Sequence, residues 1–155
     1  MTSNENGRPP SPTLVHAYDA TVQIDPTIAH GHTPFGERFR VPITGGVFAG
    51  ERLRGTVVPG GADWQLVRAD GWMIIEADYF MRTDDGIDVH VRNVGLWGEP
   101  DADLPGGYSI TTPIYEAPLG RYTWLNQRIF TCRLWQAQGD DTTVHLAVYE
   151  IAMGG

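Results

Sequence analysis

The sequence predicts an all-β domain, either a closed antiparallel barrel or a sandwich. First, no apolar period of 3.6 residues persists for three turns behind a capping residue. Second, period-two alternation recurs along the chain, cut by Gly, Pro and Asp turn formers into about eight or nine strands. Third, 155 residues fit one domain large enough to bury a real core without staples.

Residues 1–12 are polar and proline-rich, which predicts a disordered tail ahead of a domain over 13–153. Leu14 to Ile24 reads as the first strand, with Tyr18, Ala20, Val22 and Ile24 on one face. Asp25 to Gly36 reads as a loop from its Pro and Gly content. Glu37 to Ile43 and Glu51 to Val58 follow as strands around a glycine-rich stretch. Trp64 to Val67 and Trp72 to Thr83 come next, parted by a turn at Asp70-Gly71. Asp84-Asp85-Gly86 is the strongest hairpin signal, leading into Ile87 to Gly95. Leu96 to Gly107 reads as a long loop, a lid or a solvated turn. Tyr108 to Glu116 is a strand and Ala117 to Gly120 a turn. Tyr122 to Gln136, the longest apolar-aromatic run, reads as a strand with Tyr122, Trp124 and Asn126 on one face. Gly139-Asp140-Asp141 turns it into a final strand, Thr142 to Ala152.

Composition narrows the chemistry. A net charge of −8 with no basic cluster argues against nucleic acid as a partner. All 11 basic residues are arginine, which excludes Schiff-base, P-loop-lysine and pyridoxal-phosphate chemistry. Cys132 is the sole cysteine, so neither an intrachain disulfide nor a thiolate metal cluster can form, and a buried, inert thiol is expected. The histidines lack zinc-ligand spacing, no Gly-x-Ser-x-Gly exists, and GGVFAG does not match GxGxxG. No metal and no cofactor are therefore expected. The start of the chain lacks a signal-peptide pattern, and no apolar stretch is long enough for a spanning helix. The expectation is a cytoplasmic protein with no membrane partner.

The most informative stretch is Gly45 to Trp64. Two glycine pairs, Gly45-Gly46 and Gly60-Gly61, imply a strongly bent strand or close approach of backbone to a ligand. The stretch ends in Asp63-Trp64, where Asp63 is either a catalytic carboxylate or a turn cap. The hairpin on Asp84-Asp85-Gly86 collects Ile75, Ala77, Tyr79, Met81 and Thr83 against Val89, Val91 and Asn93. Tyrosine and Asn among apolar side chains suit a small-molecule cavity, or tips that satisfy one another in a solid core. In the cavity reading Asp63 moves a proton, Tyr79, Tyr122 and Asn126 hold or polarise an oxygen, and Trp64 and Trp124 wall the site, with Asn93 and Gly45-Gly46 against the ligand.

These residues also form a pattern. His30 to Arg38 (HGHTPFGER), Gly45-Gly46-x-Phe48-x-Gly50, Pro59 to Trp64 (PGGADW), Thr111-Thr112-Pro113 and Tyr122-x-Trp124-Leu125-Asn126 together resemble the microbial family known as domain of unknown function 3237. The resemblance covers almost the whole chain. It implies a lipocalin-like antiparallel β-barrel with an internal pocket, and a homodimer; Thr111 is counted with the expected ligand contacts. Ile110 stands where an arginine is expected, which would imply a less acidic ligand. The expected function is a cofactor-independent acid–base enzyme (isomerase, cyclase, hydratase or lyase) on a small, partly aromatic or enolisable molecule. The alternatives are a carrier of an apolar ligand and a barrel filled by its own side chains.

Overall fold

The computed structural model describes residues 6–154. Of the expected disordered tail, residues 1–5 lie outside the described residues, and 8–12 run without regular structure. Ten strands follow: β1 (Thr13–Ile24), β2 (Ile28–Thr33), β3 (Gly36–Ala49), β4 (Arg54–Val57), β5 (Ala62–Val67), β6 (Met73–Thr83), β7 (Asp88–Gly98), β8 (Tyr108–Glu116), β9 (Phe130–Trp135) and β10 (Thr143–Ala152). Among the described residues no helix is long and apolar enough to cross a membrane.

The strands close into an antiparallel barrel with eight strand positions. Around the ring run β1, β10, β9, β8, β7, β6, a position shared by β4 and β5, and β3, which returns to β1. β4 pairs with the Val47–Ala49 end of β3, and β5 with its Glu37–Pro42 end. Between them Pro59-Gly60-Gly61 breaks the position in two. A barrel of this size has room for its own side chains or for one small ligand.

The bend expected at the glycine pair is present. Inward positions on β3 run Val41, Ile43 and Gly45, then change parity to Phe48. The pairing with β1 slips at the same point, Gln23 facing Gly45 and Ile24 facing Ile43, which leaves Thr44 as the extra residue of a bulge. Gly46 has φ +139°, and a Cβ there would lie 2.2 Å from the Thr21 carbonyl oxygen. Gly46 thus serves strand-to-strand approach and Gly45, at φ +153°, the bend, and neither lines the cavity described below. That corrects their expected role as ligand contacts.

Two other expectations are corrected. The Asp25–Gly36 loop contains strand β2, which hairpins onto β3 through a Thr33–Gly36 turn. There the Thr33 hydroxyl accepts from the Phe35 N–H and donates to the Gly36 carbonyl. The Tyr122–Gln136 strand is instead a 3-10 helix over Thr123–Gln127 followed by β9. The Thr123 Oγ1 accepts from the Gly120 N–H and sets up that turn, so period-two alternation does not apply to Tyr122, Trp124 and Asn126.

One half of the barrel is solid. Tyr18, Phe48, Met81, Val89, Val91, Tyr115, Leu125 and Phe130 fill it, and the Tyr18 and Tyr115 hydroxyls pair with each other. Phe130 is fully buried and sits edge-on to Tyr115, with ring centroids 4.9 Å apart. Phe130→Ala should therefore cost about 3–5 kcal/mol of unfolding free energy, read by urea denaturation. A loss below about 1 kcal/mol would mean that the plug repacks freely.

Candidate active site

The other half of the barrel is hollow. A cavity of about 210 Å³ opens at the end where β1 leaves and β10 enters. Apolar side chains from five strands form its wall, among them Val22, Ile43, Ile75, Leu134 and Leu146. Asp63, Gln65, Tyr79 and Asn93 also line it, and Gln136 and Asp141 from the β9–β10 connection complete the rim. A shallower cleft continues past Asp63 and Gln65 to Trp97, Ser109 and Trp135.

Strand register explains the grouping. Asp63 faces Ala77 across β5–β6, and Ala77 faces Asn93 across β6–β7. The three share one row on the inner wall, and Ala77 is small enough to leave the space above it empty. With strands about 4.8 Å apart, the row places the Asp63 and Asn93 Cα atoms roughly 10 Å from each other. Tyr79 lies two residues from Ala77 on the same face of β6.

The Asp63 carboxylate is held on both oxygens. Gln65 Nε2 donates to Oδ2 at 2.9 Å, and the Glu76 backbone N–H donates to Oδ1 at 3.0 Å. The second bond gives Asp63 a structural task, because it occupies a donor where the β5–β6 ladder is interrupted. Burial nevertheless dominates and raises the carboxyl above the ordinary aspartate value, the two hydrogen bonds opposing and the nearby Glu76 charge adding to the rise. Tyr79 is pushed up from the usual phenol range by burial, with the neighbouring Cys132 adding, so its hydroxyl stays a donor. Among the described residues that hydroxyl has no hydrogen-bond partner. Asn93 Oδ1 is likewise buried without a partner.

The self-satisfied core weighed in the sequence thus holds for the plug, where Tyr18 and Tyr115 pair, and not for Tyr79 and Asn93. Cys132 is a buried thiol as expected, pushed up to about 12 chiefly by burial, against the lowering effect of Thr111 and Asn93 beside it. Thr111 is buried behind the floor and its Oγ1 has no partner.

Other predicted site residues are not brought together with Asp63. Tyr122 lies at the plugged end, where its hydroxyl donates to Asp85 Oδ1 at 2.7 Å. Trp124 packs against Phe130 under the Arg52 guanidinium, 3.8 Å from the ring centroid. The Asn126 side chain accepts from the Ala117 N–H and donates to the Ala117 carbonyl, at 2.7 and 2.9 Å, and so clamps the turn after β8. Trp64 is 41% exposed on the outer wall beside Arg40. Neighbouring strand residues face opposite ways, so Asp63 and Trp64 cannot both line the interior. Ile110 points outward for the same reason, next to inward Thr111, and an arginine there would not reach the cavity. Asn126→Ala should cost about 1–2 kcal/mol in denaturation while leaving ligand affinity in the cavity unchanged. A changed affinity would return Asn126 to the site.

Gln65, Gln136 and Asp141 were missed. Gln65 was readable two residues after Asp63 on the same strand face; the other two sit in a connection, where no periodicity marks them. Among the described residues no three His, Cys, Asp or Glu side chains gather as a metal site would require.

A family model described as a protein of unknown function, DUF3237, matches residues 12–151. The chain belongs to that family. A Rhodopseudomonas palustris protein named UPF0311 is 35% identical over 134 residues, covering 77% of this chain and 87% of that protein. A crystal structure from the same organism, of a conserved protein of unknown function, superposes with TM-score 0.83 at 30% identity, covering 92% and 99% of the two chains. More distant is a hydroalkoxylation enzyme of Penicillium herquei, 26% identical over 119 residues, covering 77% of the DUF3237 chain and 72% of the enzyme. A crystal structure of an enzyme from that fungus shares the fold, with TM-score 0.75 at 21% identity over 97% and 99% of the chains.

Proposed function

We propose that this barrel is a cofactor-independent acid–base enzyme that moves one proton on a small, partly aromatic or enolisable molecule. The observation that carries the reading is a carboxyl raised by burial facing an apolar cavity in which a tyrosine hydroxyl has no partner. A raised carboxyl stays protonated to higher pH, and so is available as a general acid, and it is a stronger base once ionised. Tyr79 would donate to a substrate oxygen and stabilise the charge that develops as the proton moves. Gln65 and the Glu76 N–H hold Asp63 in place, and the apolar wall limits water around the reacting atoms.

The fungal relative supports the reaction class. Hydroalkoxylation adds an O–H across a carbon–carbon double bond: one proton reaches carbon, one leaves oxygen, and no electrons are gained or lost. A single carboxyl acting first as acid and then as base can carry both transfers. Isomerisation through an enol has the same proton balance. The reading takes a homodimer as the working unit, which sedimentation reads directly.

The test uses enolisable aromatic ketones such as 2-tetralone in D2O. Wild-type protein should accelerate exchange of the C1 hydrogens over buffer, followed by NMR, without added metal or cofactor. Binding of these ketones with no exchange would replace the enzyme by a carrier, an assignment the apolar majority of the wall would suit.

A further inference from the structure

Asn93 and Thr111 are each 1% exposed, and each carries an oxygen with no hydrogen-bond partner among the described residues. Leaving such groups unpaired costs about 1–3 kcal/mol apiece, and folded chains rarely tolerate two as neighbours without use for them. They are neighbours here: Asn93 pairs with Pro113 and Gly95 with Thr111 across β7–β8, and Thr111 pairs with Cys132 across β8–β9. The Cys132 thiol beside them is only a weak donor and acceptor, and the Tyr79 hydroxyl near that thiol bonds to neither of them. Asn93 alone of the three lines the cavity.

We infer that the cavity floor is a recognition point for a hydroxyl group on the ligand, a phenol or an enol, bound by Asn93. The inference rests on the cavity being the substrate site and deepens it. A hydroxyl donates and accepts, so it pairs with the Asn93 carbonyl oxygen or with its amide N–H, whichever edge meets the ligand. Hydrocarbon satisfies neither edge. The wall between Asn93 and Asp63 is apolar and interrupted only by the small Ala77. The ligand then spans that gap with a ring, its hydroxyl on Asn93 and its reacting carbon at Asp63. A cavity of about 210 Å³ takes one or two rings; an apolar cavity of about 150 Å³ already accepts benzene. Asn93 fixes orientation while Asp63 does the chemistry.

The probes are 2-naphthol and 2-methylnaphthalene, which match in shape and differ in the hydroxyl. Their affinities are measured on wild type and on Asn93→Leu. The ratio of the two dissociation constants removes the difference in their own solvation, and it should fall at least tenfold in the variant. In wild type, the Asn93 side-chain amide signals should shift with 2-naphthol and not with 2-methylnaphthalene; this second reading needs no substitution. A ratio unchanged within twofold, or equal amide shifts with both probes, overturns the hydroxyl assignment and leaves acid–base chemistry at Asp63 standing. Failure of both probes to bind overturns both readings, and binding of 2-methylnaphthalene without 2-naphthol overturns the hydroxyl assignment. Loss of ketone exchange in D2O with the naphthol preference intact would remove only the proton-transfer role.

Discussion

Asp63→Asn is expected to lower any proton-transfer turnover by about a hundred- to ten-thousand-fold while making the fold more stable at neutral pH. The two effects share one cause. Burial holds the proton on the folded carboxyl at pH values where the unfolded chain has released it. Below the unfolded value, near 4, both states are protonated and nothing is lost. As pH rises through that value to the folded one, ionising a buried group costs stability, and the cost stays above it. Asparagine never ionises. It can still accept from the Glu76 N–H, and Gln65 can turn its amide to accept from the new N–H. Thermal midpoints of wild type and variant at pH 4 and pH 7 test the stability half: the variant's advantage should widen toward pH 7. A variant less stable than wild type at pH 7 would show that hydrogen bonds outweigh burial and that Asp63 is chiefly a structural cap. Ketone exchange tests the other half, and turnover at the wild-type rate would remove Asp63 from catalysis. A rise in stability together with loss of function is what a site built against its own folding should show.

The second large effect falls on the bend. Gly46→Val should destabilise the barrel by about 4 kcal/mol or more. Its φ of +139° lies where a β-branched side chain does not go, and the Thr21 carbonyl oxygen occupies the place of the new Cβ. The cost cannot be relieved locally, because Gly46 pairs with Val22 in the β1–β3 closure of the ring. Gly106→Ala is the control: nothing lies within 4 Å and no positive φ is involved, so its unfolding midpoint should match wild type. Wild-type-like urea denaturation of Gly46→Val would mean that the bulge can move along the strand.

How far the sequence reaches follows from what each residue's neighbours supply. On β6 and β7 alternation alone places Ile75 through Thr83 and Val89 through Asn93 correctly, since both strands run regularly and pair over their whole length. Asp63 is found because it ends a glycine-rich bend, and Asn93 because it is a polar residue at an apolar parity. Tyr122, Trp124 and Asn126 mislead because they alternate like a strand, while Thr123 and Gly120 tie the backbone into a tight turn that alternation does not encode. Strand β2 hides for the opposite reason. His30-Gly31-His32 looks like a loop in isolation and becomes a strand only through its hydrogen bonds to β3. Trp64 is the instructive error. Its attraction as a pocket wall came from composition, and the two-residue period of the strand excluded it once Asp63 was inside.

The split between plug and hollow bears on how such a chain can change over generations. Phe130 and the Tyr18–Tyr115 pair, among the most deeply buried side chains, are absent from the lining of the cavity and its rim. Substitutions at rim positions such as Gln136 or Asp141 can therefore reshape the mouth of the cavity with little danger to the scaffold, and a lineage can alter what the hollow admits while keeping the same shape.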